Sequence, residues 1–230
     1  LVNTSSGGTW MSGNTSKATV GLATGSVTGI STGTAVISYF VDGPGCYTTR
    51  VQTVNATPAA ITGTLNACVG ASSSLAHTIP GGTWSSGNTS IATVDASGVV
   101  TAVSTGYAMI TYQTNAGCWV TASFNSKALP APITGTQYAC VGTTNNLVSI
   151  TTLGVWTSSN TGVATIQSPS GTVTGVSTGT STITYKLTSG CFRTVEVTVN
   201  ATPAAIAGPA GLCRTATTTL TCTPAGGTWI

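Results

Sequence analysis

Residues 171–185 read GTVTGVSTGTSTITY, and the block occurs twice more, as GSVTGISTGTAVISY at 25–39 and GVVTAVSTGYAMITY at 98–112. Each copy is a short Val/Thr run, an STG triplet, and a second alternating run that ends in Tyr. Branched side chains of this kind suit a pleated, half-buried strand. STG, at 31–33, 104–106 and 177–179, is the turn between two strands. Gly33, Gly106 and Gly179 are expected to supply positive φ there.

Working outward, the Trp that precedes each block stands in GGTW at 7–10 and 81–84 and in LGVW at 153–156, with a further GGTW at 226–229. Trp10, Trp84, Trp156 and Trp229 are spaced by 74, 72 and 73 residues. A junction follows each block: NATPAAITG at 55–63, ALPAPITG at 128–135 and NATPAAIAG at 200–208. Three blocks in one order, three times over, mark a tandem repeat. The expected domains are 1–57, lacking its first strand, complete repeats at 58–130 and 131–202, and the first strands of another at 203–230. Length varies only between Trp and the Gly of GxVT (14 or 15 residues) and between Tyr and the next Cys (6 or 7). Insertions settle in turns and not in paired strands, so both places are loops.

In the middle repeat the sequence predicts strands near 61–69, 73–79, 82–86, 90–94, 98–103, 107–113 and 118–126. No stretch of a dozen residues has helical periodicity. Seven short strands in about 73 residues, with one Trp and two Cys, predict an all-β chain of small sandwiches.

The run WxSxN…ATV…GxVTGVSTGTxxITY resembles the bacterial immunoglobulin-like domain, group 2. Trp156, Ser158, Asn160, Ala164 and Thr165 carry it in the third repeat, followed by the block at 171–185. Ala102 departs from the pattern where Gly29 and Gly175 stand. The resemblance implies tandem Ig-like β-sandwiches arranged as an elongated rod, in an extracellular or cell-surface setting of secreted bacterial proteins. The added Cys pair and the proline-rich junction are similar to surface repeats of Bacteroidota. The family brings no catalytic residues.

Composition narrows function further. Of 230 residues only 4% are charged, with six Lys or Arg, three Asp or Glu and one His. A net charge of +3 so diluted makes no nucleic-acid patch. Three carboxylates cannot build a calcium cage, and His77 alone supports neither zinc binding nor ordinary acid–base catalysis. The expectations are no enzyme, no cofactor, no metal, no nucleic acid and, with no long apolar run, no membrane insertion in this segment. Chains this poor in charge lack self-repulsion, and hydroxyl-rich strand edges without Lys can pair. Self-association into fibres or bundles is the expected partnership. A glycan or host surface is the alternative, for a carbohydrate- or receptor-binding module, and a spacer attached to a secreted enzyme is a third reading.

The cysteines follow the period. Cys68, Cys140 and Cys213 lie early in a repeat; Cys46, Cys118 and Cys191 lie late, each after Gly and before an aromatic. Such usage suits disulfides in an oxidising compartment. Two pairings fit. One joins Cys68 to Cys118 and Cys140 to Cys191 within repeats. The other joins late to early cysteines across each junction. A last strand of about nine residues spans roughly 30 Å, which sets Cys118 far from the junction and favours the first. A closed loop of about 50 residues would then add roughly 4 kcal/mol. Cys46 and Cys213 are left for partners outside the window or for a head-to-tail bond between subunits. In the second case 220–230 would compete with 1–11, since LTCTPAGGTWI repeats LVNTSSGGTW. Cys222 falls outside the pattern and reads as a free thiol. Trp10, Trp84, Trp156 and Trp229 read as core anchors.

Overall fold

The computed structural model describes residues 7–41 and 45–223. Every regular element among them is a strand. The first group is β1 (Gly8–Ser12), β2 (Ala18–Val20), β3 (Val27–Gly29), β4 (Gly33–Val41) and β5 (Tyr47–Val54). The second is β6 (Thr62–Gly63), β7 (Asn66–Cys68), β8 (Ser72–Ala76), β9 (Thr83–Ser86), β10 (Ala92–Val94), β11 (Val99–Ala102), β12 (Gly106–Gln113) and β13 (Trp119–Lys127). The third is β14 (Thr134–Gly135), β15 (Tyr138–Cys140), β16 (Thr144–Val148), β17 (Gly154–Ser158), β18 (Ala164–Ile166), β19 (Thr172–Gly175), β20 (Gly179–Leu187) and β21 (Phe192–Asn200). The chain divides into two compact units, Leu1–Ser126 and Lys127–Ile230.

The second and third groups are the same four-on-four sandwich. One sheet runs β7-β13-β12-β9 and its counterpart β15-β21-β20-β17; the facing sheets run β10-β11-β8-β6 and β18-β19-β16-β14. The first group has only β1-β4-β5 and the pair β2-β3. Alternation along the long strands decides which side chains go inside. Ala108, Ile110 and Tyr112 of β12 are buried, while Tyr107 and Met109 between them are exposed. The core of the second sandwich gathers Ile61, Leu75, Val100, Ile110, Tyr112 and Phe124. That of the third gathers Leu147, Trp156, Val173, Ile183, Tyr185 and Val197.

The motif residues have local tasks. The Ser of WxSxN, at 12, 86 and 158, donates its hydroxyl to the carbonyl of Ala18, Ala92 or Ala164 at 2.6 Å in each repeat. The Ser of STG donates to Ser16, Ser90 or Gly162 O at 2.7–2.8 Å. Gly33, Gly106 and Gly179 have φ of 134°, 139° and 141°, in the region only glycine enters freely. The STG turn does not join neighbours in one sheet; it carries the chain across, from β11 to β12 and from β19 to β20. The strand expected over 61–69 is two strands, β6 in one sheet and β7 in the other. Gly63, at φ 111°, bends the chain between them.

One core position is out of keeping with its neighbours. The Ser126 hydroxyl is buried and has no hydrogen-bond partner among the described residues. Val199 occupies the same register in the third sandwich, opposite Gly179 as Ser126 is opposite Gly106. Ser126→Val should therefore raise the unfolding free energy by about 1 kcal/mol, by removing an unpaired hydroxyl and adding apolar volume. Urea unfolding followed by circular dichroism checks it, and a loss of stability would contradict the assignment.

Candidate functional site

At one end of each sandwich a Tyr closes a loop onto the Trp. Trp10 and Tyr39, Trp84 and Tyr112, and Trp156 and Tyr185 have ring centroids 4.8, 4.7 and 4.6 Å apart. The Tyr112 hydroxyl donates to Ile79 O at 2.5 Å and accepts from Gly82 N at 2.9 Å. Tyr185 does the same with Thr151 O at 2.6 Å and Gly154 N at 2.9 Å. Trp10 and Trp156 are buried and Trp84 is half-buried. Trp229 lies outside the described residues. His77 stacks on Tyr112 at 4.3 Å. Its Nδ1 accepts from Ile79 N, so the Nε2–H donates to Ala59 O at 2.8 Å. Shallow cavities beside these pairs, about 270 Å³ at Trp84 and about 340 Å³ at Trp156, present mostly backbone and hydroxyl groups.

The residue after each late cysteine is an exposed aromatic: Tyr47 at 64%, Trp119 at 62% and Phe192 at 53%. These side chains lie on the outer sheet face, opposite Phe40, Gln113 and Lys186.

The cysteines are arranged differently from the sequence expectation. Cys68 and Cys191 are disulfide-bonded. Cys46, Cys118, Cys140, Cys213 and Cys222 are free thiols. Neither Cys68–Cys118 nor Cys140–Cys191 is formed, and no late-to-early bond across a junction is formed either. The reason lies in strand direction. β15 runs parallel to β21, with Cys140 opposite Asn200. Cys140 thus sits at the end of β21 where the chain leaves the sandwich, while Cys191 precedes its start, roughly 30 Å away at 3.3 Å per residue. The spacing of cysteines could not reveal this, because parallel and antiparallel first strands leave the same sequence pattern.

The first sandwich offers an open edge. In the second and third, the last strand is flanked by β7 or β15; among the described residues β5 has no such neighbour. Its inward residues differ as well. Gln52 stands where Phe124 and Val197 fill the other cores, each opposite a buried small residue of the preceding strand. Val27 and Val54 are half-buried, whereas Val100, Val173 and Val199 are at most 2% exposed. A cavity of about 500 Å³ lies at this edge, lined by Val27, Gly29, Gln52, Val54 and Cys118.

Charge contributes little to any of these surfaces. Asp95 accepts from the Ser97 hydroxyl at 2.7 Å and from Val99 N at 2.9 Å. These bonds hold its carboxyl below the ordinary carboxylate range. A depressed carboxylate stabilises the fold above its unfolded pKa, and that support is lost as pH falls through the depressed value. The other carboxylates are Asp42 and Glu196. The thermal midpoint should therefore stay level from about pH 5 to 8 and decline only below about pH 4. Circular-dichroism melts across that range test it, and a shift of many degrees between about pH 5 and 8 would contradict it.

The family profile for the Bacterial Ig-like domain (group 2) matches residues 2–46 and 51–121. The chain belongs to that family. Its third sandwich, β14–β21, repeats the strand order of the second. Similar solved structures include the surface layer protein SbsC, domains 1-6, at 19% identity and TM-score 0.31, covering 88% of this chain and 35% of that one. A C-terminal intimin fragment in complex with the intimin-binding domain of its translocated receptor is 17% identical over 73% of this chain and 58% of that one, at TM-score 0.33. The Bacteroides ovatus SGBP-B in complex with a mixed-linkage heptasaccharide is 19% identical over 86% and 60%, at TM-score 0.25. The bacterial Ig-like chain thus spans about a third of the surface layer structure. No curated protein matches it at a significant level. No helix among the described residues is long and apolar enough to cross a membrane.

Proposed function

We propose that this chain is a structural segment of a secreted bacterial surface fibre or adhesin stalk, built to repeat and to hold distance without chemistry. The observation that carries the reading is the near-identity of successive sandwiches. The Ser-to-Ala carbonyl bond keeps the same length in all three repeats, and the Trp–Tyr pair the same spacing within 0.2 Å. A binding tip departs from its neighbours; a stalk repeats them. The scarcity of charge fits a role in which copies lie against one another, since little repulsion keeps them apart.

A second reading has one observation in its favour. Tyr47, Trp119 and Phe192 present exposed rings at the same place in each repeat, and such rings can stack on a sugar or a receptor surface. A spacer joined to a secreted enzyme would share the stalk's architecture. Negative-stain electron microscopy of the native material, with glycan-array binding of the purified chain, separates these readings. Fibres with no glycan binding support the stalk. Isolated monomers that bind glycans, with Trp119→Ala abolishing the binding, would replace it with the module.

A further inference from the structure

The strands that begin the second and third sandwiches, β6–β8 and β14–β16, have no counterpart among the described residues of the first. Their counterpart in sequence lies at the other end of the chain. Ala207 and Thr221 form an antiparallel bridge. Thr62↔Ala76 and Thr134↔Val148 are the same pair in the complete sandwiches. Thr215 is held at φ 72°, where Gly70 and Gly142 stand at 84° and 83°. The segment is thus already bent as a first half-sandwich, with nothing to cover it. Ile206 and Leu212 are 60% and 53% exposed, while Ile61 and Ala139 at the matching positions are 7% and 3% exposed.

We propose that Ile206–Thr219 of one copy adds to the open edge of β5 in a second copy and completes its first sandwich. The inference rests on the reading of the chain as a self-associating fibre segment and names the joint. The occupant is a second copy because this segment carries the same pattern that fills the slot elsewhere, IxGxxxxC, as ITGTLNAC at 61–68 and ITGTQYAC at 133–140. It also ends before 220–230, the stretch that duplicates 1–11, so it does not displace the recipient's own first residues. The register follows from the third sandwich, where Tyr138, Ala139 and Cys140 lie beside Thr198, Val199 and Asn200. Gly211, Leu212 and Cys213 then lie beside Thr53, Val54 and Asn55, with Leu212 covering the half-buried Val54. On the facing sheet, Gly142 N donates to Gly175 O at 2.9 Å and Gly175 N to Thr143 O at 3.0 Å. Gly29, at the matching position, makes neither bond. Thr215 N and Ala216 O supply them. A contact between two different surfaces of one chain does not close on itself, so it propagates head to tail.

The register places the free thiol of Cys213 beside Asn55. Asn55→Cys in the full 230-residue chain, under mild oxidation, should give a ladder of dimers and longer species on a non-reducing gel. Peptide mapping should recover the 55–213 cross-link, and N55C/C213S should lose the ladder. Adding I206D/L212D should reduce the ladder at least tenfold while leaving the circular-dichroism spectrum unchanged. A bridge formed within a monomer, a ladder that survives C213S, or one indifferent to I206D/L212D overturns the joint. Fibres of the I206D/L212D chain in the microscope would sink the joint and leave the stalk reading standing; a parent chain that never associates sinks both.

Discussion

Phe124→Ala should cost the second sandwich about 3–5 kcal/mol, enough to consume most of the stability of a unit of its size. Phe124 is fully buried and is the largest such side chain in the molecule's described part. It packs in a cluster with Ile61, Leu75, Ile110 and Tyr112, which come from strands of both sheets. Removing it leaves a cavity that two hydrogen-bonded sheets cannot collapse to fill. Thermal unfolding of the full chain should resolve a new, lower transition, because the third sandwich has its own core and keeps its midpoint. The first sandwich is a natural control. It carries Gln52 at this position, with a core of only Trp10, Ala18, Ala35, Ile37 and Tyr39, and should unfold before either complete neighbour. A single unshifted transition in the Phe124→Ala chain would refute the account.

Gly82→Ala is the second large effect, and it follows from crowding alone. A Cβ at Gly82 would lie 2.4 Å from Gln113 O and 2.5 Å from the Tyr112 ring. The equivalent Cβ at Gly8 or Gly154 would meet Tyr39 or Tyr185 equally closely. One methyl group therefore drives the Tyr ring off its two hydrogen bonds and away from Trp84. The expected loss is about 3 kcal/mol, at the upper end of overpacking costs. Tyr112→Phe, which removes only the hydroxyl, should cost less, about 1–2 kcal/mol. The ordering is the test: if Gly82→Ala proves milder than Tyr112→Phe in urea unfolding, the close approach does not explain this glycine.

Much of this architecture was legible in the residues. The GxVT…STG…Tyr block located β11 and β12 and the glycine turn between them, because branched residues and a required positive φ are local properties. The two variable spacings located the loops after Val94 and Gln113 for the same reason. What escaped was non-local. Gly63 and Gly135 divide the first strand between two sheets, and nothing in an apolar run says which sheet each half will join. The direction of β7 and β15 decided which cysteines can meet, and a strand reads the same in either direction. The second glycine of GGTW was visible as a repeat, yet the Tyr hydroxyl it receives comes from 30 residues further on. The polar Gln52 was the one local sign that the first repeat's core differs, and it becomes meaningful only beside Phe124 and Val197.

The parallel pairing of the first strand with the last also sets how a sandwich answers a pull. Tension enters β15 at its N-terminal end and leaves β21 at its C-terminal end, so the two strands are dragged in opposite senses along their length. Their ladder is loaded in shear, and its bonds must break together instead of unzipping singly. A tether made of such units would stretch elastically until a whole clamp lets go, and the first sandwich, with β5 unclamped, would be the link that yields under the smallest load.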